Sequence, residues 1–331
     1  MPVARATLMY SRIAGTGGFL PARVVTNHDL ERTLDTSDAW IRERTGIERR
    51  HVAADGQGVV DLAEPAARQA IEAAGLAPAD IDLIVFATAT PDYIFPNCGV
   101  LLQQRLGCRG GAAFSVEAAC SGFLYALSVA DKFVRTGESR HALVVGAEVF
   151  SRIVDWKDRG TAILFGDGAG AVVLTPAEAP GILSTHLHAD GEHRELLYTG
   201  HGEGPLGRAS GVEAGDGTVR MAGREVFRFA VQHLGEAVEE ALRANSLPRS
   251  AIDWLVPHQA NIRIIQATAR RLELPMERVI LTVQDHGNTS AASVPLALDV
   301  GVRDGRIRRG DLLLLEAFGG GFTWGSALVR Y

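Results

Sequence analysis

The chain has 331 residues, of which 47% are hydrophobic and 22% charged, and its formal net charge at pH 7 is −6. This composition is that of a globular protein, and the length suits two domains or one large duplicated unit. The negative charge argues against nucleic acid as a partner, and every apolar run is far shorter than the roughly 20 residues that span a bilayer.

Short apolar runs alternate with longer helix-like stretches along the chain. The clearest predicted strands are residues 81–87, 142–146, 171–174, 254–256 and 312–315. The clearest predicted helices are residues 61–74, 121–135, 226–244 and 262–272. Almost continuously apolar strands between helices indicate an α/β fold whose sheets are covered on both faces.

The chain also resembles itself at a fixed offset of 171 residues. Three segments agree on this offset: 70–88 with 241–259, 142–146 with 313–317, and Cys120 with Ala291. The agreement favours a gene duplication over two unrelated α/β segments with generic patterning. We therefore predict two similar halves, residues 1–180 and 181–331. The polar, glycine-rich residues 190–219 are predicted to form a surface insertion or lid.

Cysteine usage and the N-terminus predict the setting in which the protein works. Cys98, Cys108 and Cys120 are odd in number and lack a framework spacing, so we expect no structural disulfide. No CxxC pair is present, which argues against a zinc ribbon. The first residues, MPVARATLMYSRIAG, lack the apolar stretch of a signal peptide. These observations predict a cytoplasmic protein with no membrane segment.

Cys120 stands in VEAACSGFLYAL, between small residues and directly before an apolar helical pattern. A helix N-terminus offers unpaired N–H groups and partial positive charge, and both favour a thiolate. We therefore expect a lowered pKa and a nucleophile for acyl groups. The competing interpretation is a buried, inert cysteine, which is the commoner fate of a single thiol.

Three further turns carry residues that could work with this cysteine. His258 follows the predicted strand 254–256, and Asn288 stands in the small-residue turn HGNTSAAS. If the halves pack as a pseudo-dimer, both residues converge on Cys120. The glycines at 319–321 follow the last predicted strand and could offer backbone N–H groups to an oxyanion. The simpler interpretations are a structural histidine, a helix-capping turn and a glycine hinge.

Other patterns that suggest ligand sites are weaker. Residues 166–170, GDGAG, join two strand-like runs at 162–165 and 171–174, without a helix to present amides to phosphate. Residues 15–18 fail as a phosphate loop for the same reason. His186, His188 and His193 lack the carboxylate context of a metal site, so we predict no metal.

Four stretches together closely resemble one family: VEAACSGFLYALSVAD, VPHQANIRII, HGNTSAASVPLAL and LLEAFGGGFTWGSALVRY. They are similar to β-ketoacyl-acyl carrier protein synthase III, a bacterial condensing enzyme of the thiolase superfamily. The resemblance implies a five-layered αβαβα thiolase fold made of two duplicated halves, and a homodimer. It implies that a cysteine takes an acyl group from acyl-coenzyme A, and that malonyl-acyl carrier protein then loses carbon dioxide and attacks this group. The coenzyme A thioester is a substrate here, and no cofactor is implied.

The family's functional residues fall on matching positions of this chain. The implied catalytic set is Cys120, His258 and Asn288, and the implied oxyanion donors are the backbone N–H groups of Cys120 and Gly320. The implied coenzyme A contacts are Trp40, Arg44, Arg159, Gly223, Phe227 and Asn261. The implied acyl pocket includes Phe95, reaching across the dimer, with Phe150 and Phe318. Phe150 stands where many relatives carry leucine, so a bulkier wall could favour short primers or simply repack.

The predicted helix 262–272 carries Arg263, Arg270 and Arg271. Steps of seven and eight residues return close to the same helix face. Such a face is usually just solvated, but the resemblance implies that acidic acyl carrier protein docks here.

Three other functions compete with an enzyme that initiates fatty acid synthesis. One is a related starter-unit ketosynthase of a polyketide or quinolone pathway. Another is a non-catalytic acyl-coenzyme A binding protein, and the third is a cysteine hydrolase. The intact HQANIR and HGNTSAAS stretches favour the initiating synthase, and a pure binding protein would need none of Cys120, His258 and Asn288.

Overall fold

The computed structural model describes residues 10–108, 110–200 and 216–331. Its strands are β1 Tyr10–Phe19, β2 Arg23–Thr26, β3 Arg49–Val52, β4 Leu83–Ala87, β5 Ala112–Val116, β6 Ala142–Glu148, β7 Gly168–Ala177, β8 Ile182–Ala189, β9 Leu197–Thr199, β10 Val219–Met221, β11 Trp254–Pro257, β12 Leu312–Gly319 and β13 Thr323–Arg330. Its helices are α1 Asn27–Leu30, α2 Asp38–Thr45, α3 Val59–Ala73, α4 Cys98–Leu106, α5 Gly122–Thr136, α6 Arg159–Ala162, α7 Gly223–Ala244, α8 Ile262–Arg271, α9 Val283–His286 and α10 Ser293–Arg303.

Two main sheets share one topology. The first has the strand order β1-β7-β6-β4-β5 and the second has the order β8-β13-β12-β11. Strands β4 and β6 pair in parallel in the first sheet, as do β11 and β12 in the second. The other strand pairs that the two sheets have in common are antiparallel. A single parallel bridge between Leu255 and Val279 stands where the first sheet has β5. The matching topology confirms the two duplicated halves. The boundary at residue 180 stays a prediction, in the link between Ala177 and Ile182.

The layers alternate between helices and sheets. Helices α3 and α4 cover the outer face of the first sheet, α5 and α10 lie between the sheets, and α7 and α8 cover the outer face of the second. Strand β4 shows why: Leu83 and Val85 pack into the central cluster, whereas Ile84 and Phe86 pack into the outer one. Apolar side chains on both faces of a strand require cover on both sides. The predicted five-layered αβαβα fold is confirmed.

The repeat is visible in backbone detail. Short 3₁₀ turns over Ala119–Ser121 and Ser290–Ala292 precede α5 and α10, again 171 residues apart. Ala119 and Ser290 both adopt positive φ, 45° and 49°, a conformation that non-glycine residues seldom take. The two turns pack against each other where the halves meet.

One strand-like run was interpreted wrongly. Residues 162–165 continue from α6 into a turn, because the Asp158 side chain caps that helix by accepting from the Gly160 N–H at 2.8 Å. The glycines at 15–18 lie within β1. Of the predicted insertion 190–219, residues 201–215 lie outside the described residues. In the described ranges, no helix has both the length and the apolar character needed to cross a membrane.

Candidate active site

A cavity of about 900 Å³ opens where the two halves meet. Cys120, His258 and Asn288 all line it, as do Gly320 and Phe318. Cys120 comes from the turn before α5, His258 follows the carboxyl end of β11, and Asn288 precedes the turn before α10. The structure therefore brings together the three residues that the sequence places in different segments.

The Cys120 turn is held in place by close packing against the end of β12. A side chain at Gly319 would put its Cβ 2.7 Å from the Cys120 backbone nitrogen, closer than real Cβ atoms come. Only glycine permits this approach. Gly320 follows at the cavity wall, so Cys120 and Gly320 both border the same space.

Cys120 is only 5% exposed. Burial raises its pKa to about 12, and the negative charge of Glu148 acts in the same direction. Hydrogen bonds from the Ser290 hydroxyl and from the Cys120 N–H itself act the other way and favour the thiolate. The lowered pKa expected from the helix N-terminus is therefore wrong for this buried thiol, because desolvation outweighs those contacts.

His258 is oriented by contacts on both its backbone and its ring. Its backbone N–H donates to the Glu316 carbonyl at 2.8 Å, which extends the pairing of β11 with β12. Its Nδ1 and the Ser293 Oγ, the first residue of α10, lie 2.5 Å apart. Burial lowers the pKa of His258 to about 3, so the ring is neutral at working pH. With Nδ1 engaged by Ser293, Nε2 is the ring nitrogen left to bind a ligand in the cavity.

Asn288 has a fixed side-chain amide. Its Oδ1 accepts from the Ser290 N–H at 2.9 Å, and its own backbone N–H donates to the Leu164 carbonyl at 2.8 Å. Because an N–H group must face the amide oxygen, the Nδ2 donors are the ones left over for a ligand.

Aromatic and cationic side chains stand at another part of the cavity. The guanidinium carbons of Arg44 and Arg159 lie 5.5 and 5.0 Å from the centroid of the Trp40 ring. Trp40, Arg44 and Asn261 line the cavity, whereas Arg159 does not line it and donates to the Asp35 carbonyl at 2.8 Å. The Asn261 amide donates to the Arg44 carbonyl at 3.1 Å and so joins α8 to α2.

Helices α7 and α8 form a further part of the wall. Gly223, the first residue of α7, and Phe227, one turn later, both line the cavity. Arg263 lies with its guanidinium 5.3 Å from the Phe227 ring and also reaches the cavity. Arg270 and Arg271 are exposed on the same helix but do not line the cavity, and Arg271 packs along Gly235.

Two of the three predicted acyl-pocket phenylalanines are in the cavity wall. Phe150 stacks on Phe165 with ring centroids 4.5 Å apart, and Phe318 packs on Phe322 at 4.7 Å. Phe95 is 84% exposed and does not line this chain's cavity. Its predicted contact with a partner's pocket stays a prediction.

Several residues of the site were missed by sequence reasoning. Ser290 and Ser293 contact Asn288 and His258, and Glu148 is buried close to Cys120. In the sequence each is an isolated polar residue among mostly small or apolar neighbours, so nothing marks it as part of a site. The 190–219 segment, for which no site was predicted, also contributes to the wall. Its cavity-lining residues are Arg194, Leu197, Tyr198, Thr199 and Val219. The apolar positions on either side of the glycine-rich stretch were the available signal.

The three histidines considered for metal binding are spread over two groups. His186 and His188 contact Glu240 at 3.3 and 2.6 Å, respectively. His193 instead lies beside Asp190 and Glu192, with their ligand atoms within 4.8 Å of one another. His186 and His188 therefore share one carboxylate as their hydrogen-bond partner.

Comparison with known proteins bears on the whole chain. Residues 114–191 match the family described as 3-oxoacyl-[acyl-carrier-protein (ACP)] synthase III, and residues 242–331 match its C-terminal family. A relative from Thioalkalivibrio sulfidiphilus, named beta-ketoacyl-[acyl-carrier-protein] synthase III, is 61% identical over 98% of this chain and 100% of its own length.

Solved structures agree with this match. The 3-oxoacyl-[acyl-carrier-protein] synthase III from Aquifex aeolicus is 45% identical, with a TM-score of 0.91 over 97% of this chain and 100% of its own. The priming beta-ketosynthase of the R1128 polyketide pathway is 36% identical, with a TM-score of 0.94 over 99% of this chain and 98% of its own. The higher identities favour the initiating synthase over the starter-unit alternative. The chain belongs to the 3-oxoacyl-[acyl-carrier-protein] synthase III family, a family of acyl-transferring condensing enzymes.

Proposed function

We propose that this chain condenses a short acyl-coenzyme A, acetyl-coenzyme A above all, with malonyl-acyl carrier protein to give a 3-oxoacyl-acyl carrier protein. The observation that carries the proposal is the meeting of three buried residues, Cys120, His258 and Asn288, at one cavity. A thiol beside two neutral hydrogen-bond donors suits acyl transfer followed by stabilisation of an enolate.

In the first step the Cys120 sulfur attacks the thioester carbonyl of acyl-coenzyme A. The carbonyl oxygen becomes an oxyanion, which the backbone N–H groups of Cys120 and Gly320 would hold. Collapse of the tetrahedral intermediate breaks the bond to the coenzyme A sulfur and leaves the acyl group on Cys120. Preorganised N–H donors at such a position each contribute about 10²–10³ in rate.

In the second step the malonyl group loses carbon dioxide, and the electron pair of the broken C–C bond passes into an enolate. The enolate oxygen would be held by His258 Nε2–H and the Asn288 Nδ2 amide. When the Ser293 hydroxyl donates to Nδ1, the ring proton must be on Nε2, which makes Nε2 a donor. The enolate carbon then attacks the acyl group and releases the Cys120 thiolate.

The outer part of the cavity suits the nucleotide of coenzyme A. Trp40 and Arg44 offer an aromatic face and a guanidinium plane, both of which stack on purines. Arg159 adds positive charge next to the same ring, and Gly223, Phe227 and Asn261 would line the pantetheine channel. Phe150 and Phe165, which stack on each other in the cavity wall, would narrow the acyl pocket and so favour a short primer.

Two macromolecular contacts complete the proposal. Acyl carrier protein would dock at Arg263, Arg270 and Arg271, because Arg263 at the cavity wall and the other two on the same helix can pair with an acidic surface. A second copy of the chain would cover the exposed apolar residues Tyr93, Ile94 and Phe95. We place the reaction in the cytoplasm, where both thioester substrates occur, and assign it no cofactor.

The test is the intact mass of the protein after incubation with acetyl-coenzyme A and with longer and branched esters. We expect one added acyl group on the wild type and none on Cys120→Ser, with the acetyl group transferred fastest. If no ester leaves an adduct on the wild type, the condensing function is excluded for this chain.

A further inference from the structure

Two cavities border the short 3₁₀ turn Phe150–Arg152, which follows β6. Phe150 and Ile153 line the active-site cavity. Val149 and Ser151, the neighbours of Phe150, line a second cavity of about 730 Å³. A wall that is backed by a close-packed core has no room to retreat, whereas a wall with a cavity behind it does. The position of this turn therefore depends on the bonds that hold it.

The Asp167 carboxylate holds the turn in place. Asp167 is fully buried and belongs to the GDGAG stretch, residues 166–170. One of its oxygens accepts from the Ser151 N–H at 2.8 Å. The other accepts from the Ser151 hydroxyl at 2.5 Å and from the Ala53 N–H at 2.7 Å. Two bonds from one residue to one carboxylate fix both the position and the orientation of Ser151.

The segment that carries Asp167 also carries the ring on which Phe150 rests. Phe165 stands two residues before Asp167, and its ring stacks on the Phe150 ring with centroids 4.5 Å apart. A parallel β-bridge with Asn288 fixes the backbone of Phe165. The bonds between Ser151 and Asp167 therefore tie the Phe150 turn to a segment that is itself anchored in the active site.

Other bonds of the turn lead elsewhere. The Val149 N–H donates to the Thr90 hydroxyl at 2.9 Å, and the Trp156 Nε1–H donates to the Ser151 carbonyl at 3.2 Å. Among the side-chain hydrogen bonds of the described residues, those to Asp167 are the ones that join the turn to the Phe165 segment. Loss of these bonds would loosen the contact between the two rings first.

We propose that Ser151 and Asp167 limit the length of the primer by holding Phe150 against Phe165 at the wall of the acyl pocket. This inference rests on the proposed condensing function, because it concerns the acyl group that Cys120 would carry. A longer primer requires the wall to move, and the second cavity provides space for the turn to do so. Ser151 and Asp167 are thus positioning residues that determine specificity without touching the reacting atoms.

Ser151→Ala is the direct test, since it removes the hydroxyl bond to Asp167 and keeps the backbone one. Acetyl- and hexanoyl-coenzyme A are offered together, and single-turnover acylation is followed by intact mass. We expect acetyl transfer at the wild-type rate. The ratio of hexanoyl to acetyl transfer should rise about tenfold, the lower end of what one methylene changes in an apolar pocket. Asp167→Asn should raise this ratio further, because its amide nitrogen would face a backbone N–H.

Ser139→Ala is the matched control. Ser139 is buried, and its hydroxyl donates to Asp82 at 2.5 Å. Asp82 also accepts from the N–H groups of Arg140 and His141, so it binds one serine hydroxyl and two backbone N–H groups, as Asp167 does. Neither Ser139 nor Asp82 lines either of the two cavities. A general loss of stability lowers both acylation rates together, so this variant should keep the wild-type ratio.

A double variant shows whether Ser151 acts through the Phe150 ring. Phe150→Ala removes the wall directly and should raise the hexanoyl share by itself. Adding Ser151→Ala to Phe150→Ala should then change the ratio little, because residues that act through one contact are not additive.

The outcomes separate this inference from the proposed function. A wild type that takes no acyl group from either ester contradicts the proposed function. A wild type that is acylated, together with an unchanged ratio in Ser151→Ala, overturns the role of Ser151 and Asp167. An equal rise in Ser139→Ala, no rise in Phe150→Ala, or a full further rise in the double variant would overturn it as well.

Discussion

The turn that carries Cys120 and its counterpart before α10 have the same backbone but different side chains. Both are 3₁₀ turns entered through a residue with positive φ, Ala119 in one half and Ser290 in the other. In the first half the next residue is Cys120, and in the second it is Ala291, which packs in the core between the sheets. The duplication thus supplies one scaffold twice, and only one copy bears a nucleophile.

The second turn contributes in another way. Asn288 lines the cavity from just before this turn, and the Ser290 N–H donates to its side-chain amide oxygen. We infer a division of labour between the two turns, in which the Cys120 turn carries the acyl group and the turn beside Asn288 serves decarboxylation of the malonyl group.

Loss of the Asn288 amide should have the largest effect of all, on the decarboxylation step. Asn288→Ala removes one of two donors to the enolate, and condensation should fall by about 10²–10³. Asn288→Asp should be at least as damaging, because a carboxylate repels the developing negative charge. Steady-state rates with malonyl-acyl carrier protein measure the loss. A variant within twofold of wild type would show that Asn288 is not a donor in the reaction.

Gly319→Ala should slow the acylation of Cys120 almost as strongly. The new Cβ would lie 2.7 Å from the Cys120 nitrogen, so the turn must move. A displacement of about 1 Å at a reacting atom can cost about 10²-fold in rate. The matched control is Gly191→Ala, whose Cβ would meet no atom within 4 Å. Acylation rates of the two variants should differ by that factor, and similar rates would contradict the packing argument.

Ser293→Ala should weaken decarboxylation by about tenfold. It removes the hydroxyl that lies 2.5 Å from His258 Nδ1, so the ring is no longer held in the Nε2–H form. Ser128→Ala is the control, since Ser128 lies on α5, the other central helix, and its hydroxyl pairs with that of Thr185 in β8. Acylation of Cys120 should be unaffected by either change. If Ser293→Ala slowed acylation as much as decarboxylation, the serine would not be specific to His258.

Trp40→Ala should have the smallest effect, confined to binding. A stacked base contributes about 1–3 kcal/mol, so the KM for acetyl-coenzyme A should rise about tenfold or more while kcat changes little. Acetyl-pantetheine lacks the nucleotide and serves as the control substrate. An equal change in KM for both thioesters would show that Trp40 does not bind the nucleotide.

The sequence was most informative where a pattern is repeated. Alternating apolar strands and helices predicted an α/β fold with both sheet faces covered, and the offset of 171 residues predicted that Cys120, His258 and Asn288 converge if the halves pack as a pseudo-dimer. The five layers were implied by the family resemblance. A short apolar run such as 162–165 does not by itself distinguish strand from helix, and the Asp158 cap decided that segment.

Effects of burial could not be predicted in the same way. The helix N-terminus suggested a lowered pKa for Cys120, but desolvation depends on neighbours from both halves and raises it instead. Glu148 is one acidic residue at a strand end in the sequence. The hydroxyls of Thr88, Thr90 and Ser290 donate to it, and these residues are brought to it only by the fold.

The division of labour is tested most directly by measuring both half-reactions on the same two variants. Cys120→Ala should lose acylation by acetyl-coenzyme A and still decarboxylate malonyl-acyl carrier protein. Asn288→Ala should be acylated within about twofold of the wild-type rate and lose decarboxylation by about 10²–10³. If each variant instead lost both half-reactions to the same extent, the two turns would act as one unit and the proposed division would be wrong.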